Sequence, residues 1–133
     1  MNGQEAPIFL TRGNVDELHE ASLHQFGGIV GVRNENLIES ALGAAMNEHF
    51  YGGGDIFAVA AAYAFHIAQN QAFLDGNKRT AVASALVFLA MNGCVASHAL
   101  EDRMALYAAL IAIAERRMTK FELAQLFRQL FLP

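Results

Sequence analysis

The chain has 133 residues, a formal charge of -4 and 54% hydrophobic residues, which is the length of one core and the composition of an ordered globular domain spanning 1–133. This acidic balance leaves no basic face on which a DNA or RNA duplex releases counterions, and so argues against direct nucleic-acid binding. The single cysteine, Cys94, excludes an intrachain disulfide; with no basic segment leading an apolar run at the N-terminus, no secretory signal is read and the expected setting is the cytoplasm.

The apolar spacing is helical almost throughout and predicts an all-α, single-domain bundle of about six helices, after a short extended piece from Ile8 to Leu10. The first helix is expected to start after Thr11 as its cap, with Asp16 and Glu17 near its positive end, and to stop at Gly27-Gly28. The second, from about Asn34 to Asn47, turns Leu37, Ile38, Ala41, Leu42, Ala45 and Met46 to one face. Three glycines in HFYGGGD, His49 to Asp55, then break the pattern and free the backbone for an extended or flap-like loop.

Asp55 is expected to cap the third helix, which is apolar on every side from Ile56 to Phe65. The fourth repeats that pattern from Ala81 to Met91, apart from Ser84. Both runs are too short to cross a bilayer, so they read as central helices of a bundle with no membrane partner. Asn92-Gly93 closes the fourth helix, and a fifth from about Glu101 to Arg116 directs Met104, Tyr107, Ala108, Ile111 and Ala112 inward. The sixth opens on Thr119 and Glu122 at capping-box spacing and buries Leu123, Leu126, Phe127 and Leu130.

Between the two most apolar helices lies NQAFLDGNKRTA, residues 70–81. One reading is a capped turn: Asp75 and Asn77 accept from free amides, Gly76 turns the backbone, and Phe73 plugs the core. Lys78 and Arg79, however, then face the positive end of a helix dipole, which costs about 0.3 to 1 kcal/mol each. An anion at this end reverses the sign, because free N–H groups, dipole, Lys78 and Arg79 all act on it together. Arg79 offers a planar fork to phosphate oxygens and Lys78 a point charge. Asp75 repels bare phosphate but suits a magnesium ion bridging phosphate oxygens.

AFLDGNKRTA resembles the active-site motif of the Fic/Doc superfamily, and of its death-on-curing toxins in particular, usually written H-P-F-x-D-G-N-K-R-T-A. FLTRGNVDELHEASLHQFGGIVGVRNENLIESAL, FYGGGD, AYAFHIAQN and LVFLAMNG resemble the same family in the same order, so the likeness covers essentially the whole chain. The resemblance implies an all-helical Fic-type fold that cradles a nucleotide, ATP or a relative, with Mg2+. It implies Asp75 as magnesium ligand, and Gly76, Asn77, Lys78 and Arg79 as phosphate holders. Phe50, Tyr51, Gly52, Gly53 and Gly54 correspond to the flap that aligns a target peptide.

Most Fic proteins transfer AMP, whereas death-on-curing toxins resemble kinases that phosphorylate a translation elongation factor. Val82, where AMP-transferring members carry a second arginine, favours the toxin branch. The serine- or threonine-led glutamate helix of self-inhibiting Fic proteins is not found. Restraint is therefore expected from a separate antitoxin, and the resemblance implies that this is a small protein whose C-terminal segment folds as a helix in a groove on the toxin.

Gln71 stands where the family has the histidine that takes the proton of the attacking hydroxyl, and Ala72 replaces the following proline. An amide does not accept that proton near neutral pH, and losing a general base costs about 100- to 10,000-fold in rate. Gln71 can still orient a nucleophile by hydrogen bonding. Three readings stay open: a weak or inactive phosphotransferase toxin, a non-catalytic nucleotide-binding interaction module, and an AMP transferase; a plain helical domain is the bland alternative. His66 is expected to make a structural hydrogen bond. His19-Glu20 and His24 miss the spacing of a zinc helix, and His49 and His98 are expected in solvated loops.

Overall fold

A computed structural model of the chain describes residues 6–94 and 100–131, so His98 lies outside the described residues. Among them six helices follow one another: α1 (Arg12–Phe26), α2 (Glu35–Phe50), α3 (Ile56–Asn70), α4 (Asn77–Met91), α5 (Leu100–Ala114) and α6 (Lys120–Phe131). The all-α expectation holds.

Helix α3 is the central rod, with α2, α4 and α6 packed on it and α1 lying against α4. Its buried face is built from Ala60, Ala61, Ala62, Ala64 and Ala68 around Val59, Tyr63 and Ile67. The small methyl groups let neighbouring helices approach closely, while Phe57, Phe73, Phe88 and Phe127 supply the volume that fills the core. The short link between α3 and α4 makes them antiparallel neighbours. The amino end of α4 is thereby fixed beside the carboxyl end of α3.

Thr11 caps α1 as expected, accepting from the Asn14 N–H while Asn14 reciprocates on the Thr11 N–H. Asp16 pairs with Arg12 at 2.8 Å. Arg12 also reaches Glu35 and Glu39, tying α1 to α2, and these carboxylates raise its pKa. The N-terminal segment is strapped down by the Leu10 N–H donating to the buried Tyr63 hydroxyl and by Asn92 bonding both the N–H and the carbonyl of Ile8. Burial pushes the Tyr63 hydroxyl up to about 12.

Three expectations are corrected. In α5 the inward face is Ala109, Ala112 and Ile113, whereas Met104, Tyr107, Ala108 and Ile111 face outward. That helix is apolar nearly all round, so periodicity did not define its phase. Met46 is 41% exposed at the edge of α2. His49 belongs to the last turn of α2, with its ring against Phe9 and Phe50, because that helix runs on to Phe50 before the glycines stop it. Among the described residues no helix is long and apolar enough to cross a membrane.

Candidate functional site

The link from α3 to α4 is held from outside by several long-range bonds. Gln71 ends α3 in the left-handed conformation, φ 52 and ψ 45, with its side chain exposed. The Ala72 carbonyl accepts from the N–H groups of Arg33 and Asn34, and the Leu74 N–H donates to the Gly31 carbonyl. Val32 and Phe73 thus form an antiparallel bridge. The stretch between α1 and α2 is therefore laid along the motif loop, a placement that sequence reasoning missed although Gly27, Gly28 and Gly31 signalled an unusual backbone there.

Asp75 locks the same junction. Its carboxylate accepts from the Ile29 N–H at 3.2 Å and from the Gly76 N–H at 2.9 Å. Those two amides, with Arg79 and His19 nearby, hold the exposed carboxyl below its usual range and so keep it charged. Gly28 is required here, since a Cβ would sit 2.9 Å from Asp75 Oδ2 at a φ of +130°.

Helix α4 starts without a side-chain cap. Gly76, at φ 78, occupies the cap position, and the first inward backbone bond runs from the Thr80 N–H to the Gly76 carbonyl. The Asn77 side chain does not cap the helix either: its Oδ1 accepts from the Phe73 N–H and its Nδ2 donates to the Phe73 carbonyl, closing the loop on itself. The N–H groups of Asn77, Lys78 and Arg79 have no acceptor among the described residues. These are the free donors that make a helix N-terminus attract anions. They belong to a cavity of about 390 Å³ lined by Gln71, Leu74 and the residues from Asp75 to Arg79.

One continuous stretch, from the end of α3 through the link into the first turn of α4, thus brings Gln71, Asp75, Gly76, Asn77, Lys78 and Arg79 around this cavity. The segment from Phe50 to Gly54 is not among them. It leads into Asp55, the cap at the amino end of α3, and so lies about 22 Å along that 15-residue helix from Gln71. Phe50 packs instead on Phe9, which stacks on Phe88 near the carboxyl end of α4. The backbone that pairs with the motif loop belongs instead to residues 29–34, with one antiparallel bridge at Val32.

Next to the polar cavity, α1, α4 and α5 enclose an apolar groove of about 450 Å³ lined by Phe26, Val82, Leu86, Leu106, Tyr107 and Ile111. Lys78, Arg79 and Arg103 rim it, so Lys78 and Arg79 border both spaces. His66 meets Lys120 at 3.2 Å, the structural role expected of it. His19 is buried and bonded to the Asp75 carbonyl; no cluster of three or more metal-ligating side chains occurs among the described residues. The role of His19 lay hidden because the sequence shows it only in a chance pattern that misses zinc-helix spacing, although it sits with Val15 and Ser22 on the buried stripe of α1.

The family model described as Fic/DOC family matches residues 9–89. A protein named protein kinase doc, from Escherichia phage P1, is 38% identical over 77 residues, which cover 57% of this chain and 61% of that protein. The chain thus matches somewhat less than two thirds of that relative's length. The match to the family model includes the motif loop, the amino end of α4 and the stretch between α1 and α2 that braces them, and the chain belongs to the Fic/DOC family.

Proposed function

We propose that this chain is a death-on-curing-like toxin that binds ATP with magnesium at the amino end of α4. It transfers the terminal phosphate to a hydroxyl of a protein target, a translation elongation factor on the family resemblance, in the cytoplasm. The observation that carries the reading is the uncapped first turn of α4, whose three free N–H groups share one cavity with Asp75, Lys78 and Arg79.

In the reaction the target hydroxyl attacks the γ-phosphorus, the bond from that phosphorus to the β,γ-bridging oxygen breaks, ADP leaves, and the hydroxyl proton passes to solvent water. The N–H groups of Asn77, Lys78 and Arg79 hold phosphate oxygens and need no rearrangement to do so. Arg79 and Lys78 neutralise charge on the transferring group. The donor set fits magnesium, which takes one or two carboxylates and completes its shell with phosphate oxygens and water, since Asp75 is exposed and kept ionised. Magnesium held at Asp75 supplies further neutralisation of the phosphates. Gln71 borders the cavity and orients the hydroxyl without taking its proton, so transfer is slow.

The flap role passes from the segment Phe50 to Gly54 to the stretch around Val32, which runs beside the motif and offers backbone for strand-like pairing with a target. The groove between α1, α4 and α5 suits the antitoxin's helical segment: an apolar helix face with acidic flanks matches its lining and its rim of Lys78, Arg79 and Arg103. A second reading, a nucleotide-binding module without catalysis, is favoured by Gln71 itself.

Calorimetric titration with ATP, with and without magnesium, tests the site in the wild-type chain and in Gln71→His. Both proteins are expected to bind ATP in a magnesium-dependent way, and Gln71→His is expected to gain about 100- to 10,000-fold in transfer from γ-labelled ATP to a purified elongation factor. Binding without any gain supports the module. Label transferred from α-labelled ATP identifies AMP transfer, and absence of ATP binding by folded protein sinks the proposal.

A further inference from the structure

We propose that His19 is the positioning residue of the phosphate-holding turn, clamping the Asp75–Gly76 peptide from α1 without touching the nucleotide. The assignment rests on the function proposed above.

His19 is only 7% exposed. Its ring lies flat on Phe73, with centroids 3.7 Å apart and planes 15° from parallel. Its Nε2 is 2.8 Å from the Asp75 carbonyl oxygen, across 56 residues of sequence. A carbonyl oxygen only accepts, so Nε2 carries the proton and donates. One imidazole therefore grips the motif loop twice, at Phe73 by its face and at Asp75 by its edge.

The gripped peptide is the one whose orientation decides what the cavity offers to an anion. Its carbonyl is taken by His19, and its N–H, that of Gly76, donates to Asp75 Oδ1 at 2.9 Å. Both ends are thereby fixed. Gly76 lies at φ 78, where a peptide rotation is sterically easy for glycine. Without a donor on the carbonyl, that rotation turns a partial negative charge towards the place where phosphate oxygens gather. Packing reinforces the clamp, since a Cβ on Gly76 would lie 3.5 Å from His19 Cδ2 and 3.6 Å from Ser22 Oγ. The free amides at the start of α4 are useful only while this turn keeps its shape.

Three variants separate the bond from the packing. His19→Phe keeps the flat face on Phe73 and removes the donor. In His19→Gln the amide nitrogen stands as many bonds from Cβ as Nε2 does, and in His19→Asn it stops one bond short. The readouts are calorimetric binding of ATP with and without magnesium, binding of inorganic phosphate, and hydrogen exchange at the Gly76 amide, each on protein shown to be folded by circular dichroism. His19→Phe and His19→Asn are expected to bind magnesium ATP about tenfold more weakly, the size of one lost hydrogen bond, with faster Gly76 exchange. His19→Gln is expected to restore both.

Binding within twofold of wild type in His19→Phe, or equal behaviour of the Gln and Asn variants, overturns the assignment. Should wild type bind neither ATP nor phosphate, the proposed function fails on its own account. Exchange at Gly76 then decides the clamp alone: faster in the Asn variant and normal in the Gln variant supports it, and no difference rejects it.

Discussion

The Arg79 guanidinium lies 4.6 Å from the centre of the Phe26 ring, so the cation bordering the polar cavity is steadied by the last residue of α1. No ion pair restrains Arg79 among the described residues. An exposed cation–π contact is worth about 0.5 to 1 kcal/mol. Phe26→Ala is therefore expected to weaken phosphate and ATP binding by about 2- to 5-fold through loss of order in Arg79, with the fold intact, and Phe26→Tyr to preserve it. Parallel titrations of the two variants check this.

Gln71 occupies the left-handed region, where a side chain other than glycine is strained by about 1 kcal/mol. Its exposed side chain borders the polar cavity at the start of α4, so the residue is not there to suit the backbone. Gln71→Gly is expected to raise the melting temperature by about 4 °C, while Gln71→Ala, which keeps the strain, is expected to give no gain. Thermal melts of the two variants distinguish strain relief from simple loss of a side chain.

The groove beside Arg79 leads to a third expectation. Tyr107 and Ile111 are 64% and 46% exposed, so a charge at either position changes stability by less than about 0.5 kcal/mol. The same charge in the lining of an apolar groove opposes an acid-flanked helix. If the groove seats the antitoxin helix proposed above, Tyr107→Glu and Ile111→Glu are expected to abolish its capture while leaving the melting temperature and ATP titration unchanged. An antitoxin peptide bound equally by both variants rejects the groove as its seat.

Helix number, the caps at Thr11 and Asp55, and the polar loop between α3 and α4 were legible because each rests on local chemistry: a side chain of the right length beside a free amide, or a glycine where φ must be positive. What escaped depends on contacts across the chain. Asn77 reads as a cap and instead ties off Phe73; His19 reads as half of a failed zinc pattern and instead holds Asp75. The three-glycine segment resembles a flap, yet its place at the far end of α3 follows only from the direction of that helix. In α5 an apolar surface on every side erased the phase that burial later defined.

Asp55 couples the start of α3 to α6. It accepts from the Ala58 N–H at 2.9 Å and receives Arg128 on both oxygens, at 3.0 and 2.9 Å. Burial opposes its charge, but Arg128 and the helix amides prevail and lower its pKa. Asp55→Ala loses cap and pair together and is expected to cost about 1 to 2 kcal/mol, more than Arg128→Ala, because the exposed pair alone contributes at most about 1 kcal/mol. Urea unfolding at low and high salt separates the two, since only the pair is screened.

His66 gives the chain a distinct acid response. Lys120 Nζ lies 3.2 Å from its Nε2 and donates to it, so that nitrogen must be unprotonated. Burial first, and the Lys120 charge second, hold its pKa below the ordinary 6.5. Between the lowered folded value and 6.5, the unfolded chain binds a proton that the folded chain refuses. Stability from this residue is therefore complete above 6.5 and is lost as the pH falls through the window, at a slope of up to about 1.4 kcal/mol per pH unit. Asp55 and Asp75, also held low, lose their contribution only as the pH falls below 3.8. His66→Gln is expected to flatten the profile between pH 6.5 and the lowered value while leaving the carboxylate limb in place. Lys120→Gln is expected to shrink the slope only in part, because burial still disfavours the charged ring. Unfolding free energies measured across this range for the three proteins decide the matter, and an unchanged slope in His66→Gln rules out His66 as its source.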